Sequence, residues 1–157
     1  MKTLVVFYSR SGNTRRIAEM IARHLDADIQ ELVDKKGRAG MLGLLRAGRD
    51  AVKKKTTDLE PLTYRPGDYQ LIVVGTPVWA SNPAPAVRSF LQSHDLSGKK
   101  VALFCTMNAR GGEQACVILK DLIRGGEVVG HLAVAMKKQS QDQVEEKVIQ
   151  WAAQLKS

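Results

Sequence analysis

Six residues, Ser9, Arg10, Ser11, Gly12, Asn13 and Thr14, stand where a run of β-formers, "TLVVFY" at 3–8, hands over to a helical pattern. Ser9, Ser11 and Thr14 bring hydroxyls, Asn13 an amide and Arg10 a positive charge. Gly12 lets the backbone approach a ligand closely and adopt an unusual φ. The first N–H groups of a helix have no intrahelical partner, and the helix dipole is positive at that end. Hydroxyls, free amides and a cation gathered there suit an anion, best a phosphate group. Helix capping alone asks for one hydroxyl, so three of them beside Gly and Asn exceed it.

Other phosphate loops fit this chain less well. Neither GxxxxGK[ST] nor GxGxxG follows the first strand. A response-regulator receiver should end its first and third strands in aspartates, and those positions hold Tyr8 and Thr76. A low-molecular-weight phosphatase needs Cys-x5-Arg, and Arg110 follows Cys105 one residue too soon.

The elements that must position the loop alternate regularly. Ile17, Ala18, Ile21, Ala22 and Leu25 recur three and four apart and predict a helix after Thr14. Strands are expected at 3–8, 28–33, 69–75, 99–106 and 127–136. Helices are expected from 14, at 41–53, 85–93, 113–126 and 140–155, with Pro85 in a first turn and Ser140 as an N-cap. This alternation, unbroken by linkers or repeats, predicts one α/β domain over 1–157, a parallel sheet with helices on both faces. Ligands of such sheets bind beyond the carboxyl ends of the strands, where strand order reverses. The loops at 9–14, 76–84 and 106–112 occupy those ends.

Trp79 falls in the second of these loops, where an aromatic can stack on or border a flat ring. Trp151 lies at helical spacing with Val144, Val148 and Leu155 and is expected in the core. Cys105 and Cys116 lack CxxC spacing, and with three scattered histidines they predict small core residues rather than a zinc site or disulfide framework. No Ser/His/Asp set or carboxylate pair points to hydrolysis.

Composition sets outer limits. The 157 residues suit one domain with a real core, and no apolar run approaches the ~20 residues of a membrane helix. The apolar run near the N-terminus has no small-residue cleavage site after it, so a strand is expected there rather than a signal peptide, and the cytoplasm is the expected location. The 24 Lys and Arg exceed the 16 Asp and Glu, a formal net charge of +8, which favours anionic partners.

Taken together, these residues resemble the flavodoxin-like family of FMN proteins along the whole chain. The likeness is most specific in "SRSGNT", which is similar to the family's FMN phosphate loop. "LIVVGTPVWASNPAPAVRSFL", 71–91, resembles the third strand, flavin loop and following helix, and "TMNARGG", 106–112, falls where the second flavin loop lies. The resemblance implies a three-layer sandwich with a five-stranded parallel sheet in the order 2-1-3-4-5. It implies FMN with its phosphate on Ser9, Arg10, Ser11, Gly12, Asn13 and Thr14. Its ring would lie between Thr76, Pro77, Val78, Trp79 and Ala80 on one side and Thr106, Met107, Asn108, Arg110, Gly111 and Gly112 on the other. Backbone groups of Thr76, Val78, Ala80, Asn108 and Gly111 are the expected contacts to the ring edge. The implied activity is electron transfer; an FMN-dependent NAD(P)H or quinone reductase and a non-catalytic binding module are the alternatives.

The chain departs from familiar flavodoxins in being strongly basic and in lacking an aromatic at 106–112, where Met107 or Arg110 would take that space. No carboxylate occurs at 76–85, and the first after Cys105 is Glu113. Basic surroundings favour an anionic reduced flavin, so full reduction is expected to be easier here, chiefly through Arg110. Lys35, Lys36, Arg38, Arg46, Arg49, Lys53, Lys54 and Lys55 crowd one segment among apolar residues. Such a segment is a solvated face or a dock for a membrane surface or an acidic partner, with an acidic redox partner such as a ferredoxin the expected rival to the solvated face. A small-molecule donor or acceptor is the other expected partner, and no nucleic acid is expected.

Overall fold

The computed structural model describes residues 1–35 and 56–157. The helix expected at 41–53 and the basic residues from Lys36 to Lys55 lie outside the described residues. Those described form β1 (Thr3–Phe7), α1 (Asn13–Leu25), β2 (Asp28–Glu31), a 3-10 turn (Pro66–Asp68), β3 (Leu71–Trp79), β4 (Asn82–Pro83), α2 (Pro85–Ser93), β5 (Lys100–Met107), α3 (Gly112–Leu122), β6 (Glu127–Ala135) and α4 (Gln141–Gln154).

The strands pair in the order β2-β1-β3-β5-β6, and all four pairings are parallel. The two-residue β4 stands off this path and pairs antiparallel with β3. Counted without β4, this is the expected order. β1 is buried along its whole length, which explains its unbroken apolar run.

Two cores flank the sheet. On one face Leu4, Val6, Ile72 and Val74 pack with Ala86, Val87, Phe90 and Leu91 of α2 and Leu119 of α3. On the other, Val5, Phe7, Val73 and Phe104 pack with Ile17 and Ile21 of α1 and Val144, Val148 and Trp151 of α4. Side chains alternate across each strand, so one apolar run feeds both layers. The sheet with helices on both faces expected from the pattern, the three-layer sandwich that the resemblance implied, is present, and Trp151 takes its expected core position. Gly75 serves this packing, because the Phe104 ring occupies the space of its absent side chain, with Cζ 2.0 Å from where a Cβ would sit. The pair is in register across β3 and β5.

Element ends differ from expectation in three places. β3 begins at Leu71 and runs on to Trp79, so residues 76–79 belong to a strand rather than to a loop. Val78 pairs with Pro83 and Trp79 with Asn82, closing a hairpin through Ala80 and Ser81. Their φ values are 50° and 61°, the left-handed backbone of a two-residue hairpin turn, here without glycine. α3 stops at Leu122 rather than continuing to 126, and β2 stops at Glu31. Ser140 caps α4 as expected: its Oγ accepts from Gln143 N–H, while the Gln143 side chain accepts from Ser140 N–H.

Candidate functional site

β1, β3 and β5 end at one edge of the sheet, and the strand order reverses between β1 and β3. A cleft of about 220 Å³ opens there, lined by Arg10, Ser11, Asn13, Thr14, Pro77, Val78, Trp79, Thr106, Met107 and Asn108. Three loops far apart in sequence thus share one cavity.

The first loop folds on itself. Gly12 N–H donates to Ser9 Oγ at 3.1 Å, and Gly12 takes φ 99° as the residue before α1. The first intrahelical donor is Arg16 N–H, to Gly12 C=O, so the N–H groups of Asn13, Thr14 and Arg15 have no intrahelical acceptor. No acidic residue occupies the first turn of α1, so its positive end carries no built-in counter-charge. Arg15 instead turns to Glu31 of β2. Thr14, buried, meets Thr106 hydroxyl to hydroxyl at 2.8 Å.

The β3–β4 hairpin supplies an apolar wall of Pro77, Val78 and Trp79. The Trp79 ring stands edge-on to Tyr8, centroids 5.7 Å apart and planes at 87°. Its orientation is therefore held by the residue that precedes Ser9. Thr76 is fully buried: its Oγ1 donates to Pro77 C=O and accepts Ala84 N–H. It anchors the hairpin and does not line the cleft. Ala80 sits at the exposed turn, where its carbonyl accepts from Asn82 Nδ2.

Opposite, Gly112 N–H donates to Met107 Sδ at 3.1 Å, so the Met107 side chain braces its own loop. Gly111 takes φ 97° ahead of α3, and an added Cβ would meet Ser81 Oγ and Val78 Cγ1 at 3.1 Å. The hairpin and the third loop touch at this glycine. Arg110 is exposed and lies outside the cleft lining, as do Ser9, Gly12, Thr76, Ala80, Gly111 and Gly112. The structure thus brings ten of the seventeen expected residues onto one cavity and places the others beside it, in the adjoining turns, in β3 and at the start of α3.

Three contributors escaped the sequence reading. Tyr8 braces Trp79. Asn82 closes the hairpin. The turn after β6 is joined to the third loop, Met136 N–H donating to Met107 C=O and Lys137 N–H to Asn108 C=O. Only Tyr8 left a sequence signal, an aromatic directly beside the polar loop.

Behind the third loop, Cys105 and Cys116 are buried free thiols whose sulfurs are 3.5 Å apart. The contact with Cys116 and burial push the Cys105 thiol up from its ordinary value, so it stays protonated. Both are core residues, as expected.

Comparison with known proteins agrees with this geometry. The family model described as flavodoxin matches residues 2–152. Flavodoxin 1 of Escherichia coli K12 is 29% identical over 143 residues, covering 85% of this chain and 68% of its own length. Oxidised flavodoxin 2 of Bacillus cereus superposes with a TM-score of 0.62 at 25% identity, covering 98% of this chain and 96% of that one. A Lactobacillus acidophilus NCFM flavoprotein, solved in complex with FMN, gives a TM-score of 0.71 at 24% identity, covering 84% of this chain and 92% of its own. On the strength of the family match across nearly its whole length, this chain belongs to the flavodoxin family.

Proposed function

We propose that the chain binds FMN in the cleft at the ends of β1, β3 and β5 and works as an electron-transfer flavoprotein. The observation that carries this reading is the convergence of a phosphate-type loop and an apolar wall on one cavity. Gly12 holds the first loop in a left-handed conformation and has no atom within 4 Å of a would-be Cβ, so open space faces it. The N–H groups of Asn13, Thr14 and Arg15, which have no intrahelical acceptor, with the hydroxyl of Ser11 and the charge of Arg10, suit a phosphate. Trp79, Val78 and Pro77 offer the flat apolar border that a ring system needs, and Met107 and Asn108 face them.

When bound, FMN supplies reversible one- and two-electron chemistry, and the protein's part is to bind, orient and tune it. Among the described residues Arg10 lines the cleft and no carboxylate does, which favours negative charge on a reduced ring. This basic lining is also the one observation that favours the second reading, a reductase taking two electrons from a small donor. Absorption titration of the purified chain with FMN tests the site. Anaerobic reduction with NADPH, with and without an added quinone, separates the readings: catalytic NADPH consumption belongs to the reductase.

A further inference from the structure

We propose that the rim of the cleft is a docking surface for the acidic face of a redox partner protein. The proposal rests on the functional reading above and names the partner of that same site.

Arg10, Arg110, Lys137 and Lys138 are all exposed. Arg10 lines the cavity together with Asn108. Asn108 C=O accepts Lys137 N–H at 3.1 Å, so the turn that carries both lysines is joined to the loop that carries Arg110. Four exposed cations therefore sit on three segments that line the opening or are bonded to its lining. None of the residues at 9–14, 76–84, 106–112 or 136–138 is Asp or Glu. The next carboxylate along the chain, Glu113, is engaged by His131 Nε2 at 3.0 Å.

The spacing of these charges decides the kind of partner. A small anion is gripped by donors that converge on it, and of the four only Arg10 lines the cleft. The other three are spread over exposed surface. Distributed charge acts at a distance, steering and orienting a broad surface of opposite charge. The net charge of +8 adds attraction of the same sign. An acidic protein that presents its redox centre to the exposed ring edge meets both conditions.

The test uses the FMN-loaded chain and a dithionite-reduced, acidic [2Fe–2S] ferredoxin as probe. Each encounter moves one electron from the iron–sulfur cluster to the chain, so two encounters and protons from water complete the flavin's reduction. In stopped flow, the rate is expected to fall about tenfold as salt rises from about 20 mM to about 500 mM. Lys137→Glu with Lys138→Glu should slow transfer about fivefold or more at low salt while leaving FMN affinity and melting temperature unchanged, since only the backbone N–H of Lys137 bonds the loop. Salt-independent transfer, or a double variant with unaltered rate, overturns the docking surface while the FMN site stands. A double variant slowed only toward NADPH, and not toward the ferredoxin, overturns it in favour of a small-anion site. Absence of FMN binding in the starting protein overturns the functional reading, and the docking surface with it.

Discussion

The hydroxyls of Thr14 and Thr106 lie 2.8 Å apart in the buried floor of the cleft, one at the start of α1 and the other near the end of β5. This bond joins the phosphate-type loop to the loop on the far side of the cavity, across 92 positions of sequence. Removing one partner leaves a buried hydroxyl unsatisfied, at about 1–3 kcal/mol. Thr106→Val is therefore expected to lower the stability of the FMN-free chain by that amount in urea unfolding. Thr14→Val with Thr106→Val together should be less harmful than the sum of the singles, because two apolar groups of similar shape leave nothing unpaired. Strict additivity in this double-mutant cycle would show that the bond does not couple the loops.

Three glycines near the site differ in what an added methyl would meet. At Gly12 there is open space, so Gly12→Ala is expected to cost only its left-handed backbone, about 1–2 kcal/mol. Gly111→Ala adds contacts near 3.1 Å with Val78 and Ser81 to a similar backbone cost and should be worse, about 2–3 kcal/mol. Gly75→Ala has ordinary backbone but collides with the Phe104 ring, and about 3 kcal/mol or more is expected. Unfolding midpoints in urea check the order. Gly12→Ala as the most damaging of the three would contradict it.

The elements and both cores were legible because apolar runs and three-and-four spacing dominate there: β1, α1 and α4 bury most of the residues that the pattern marks, while the strand order came from the family resemblance. The polar loop was legible because its residue types exceed what a cap needs. The β3–β4 hairpin was not. Its turn residues are Ala80 and Ser81, without the Asn-Gly or Asp-Gly that signals a two-residue turn, and Pro77 sits inside the strand where proline usually marks a loop. Tertiary contact of this turn with Gly111 outweighs local preference. The link of Lys137 to Asn108 was also hidden, because backbone bonds between distant turns leave no trace in side-chain type.

Tyr69 provides a pH dependence. Its hydroxyl donates to Asp28 Oδ2 at 2.7 Å and the residue is 3% exposed. Burial, and then the bond to Asp28, push its pKa up to about 12. The unfolded side chain ionises near ~10. Its contribution is therefore fully present below that pH and is lost as pH rises toward 12. The stability advantage of the native chain over Tyr69→Phe is expected to shrink between about pH 9 and about pH 12. A difference that stays constant over that range would refute the assignment.

Arg88 is buried in α2 at 5% exposure, and its Nε and Nη2 have no hydrogen-bond partner among the described residues. Burial lowers its pKa. Arg88→Met keeps the apolar stem and removes donors that have no partner among the described residues. It is expected to stabilise the chain by about 1–3 kcal/mol in urea unfolding. A loss of stability of that size would mean that the guanidinium contributes a favourable interaction in this helix.

The central claim is that the cleft between Ser11, Trp79 and Asn108 holds FMN, and one titration tests it most directly. FMN added to the purified, cofactor-free chain should bind one to one, with its visible bands shifted and its fluorescence quenched beside Trp79. Trp79→Ala should weaken binding about twofold to tenfold, the equivalent of ~0.5–1.5 kcal/mol for an aromatic contact. A chain that leaves the FMN spectrum unchanged at about millimolar concentration, where affinity is only ~4 kcal/mol, would contradict the account.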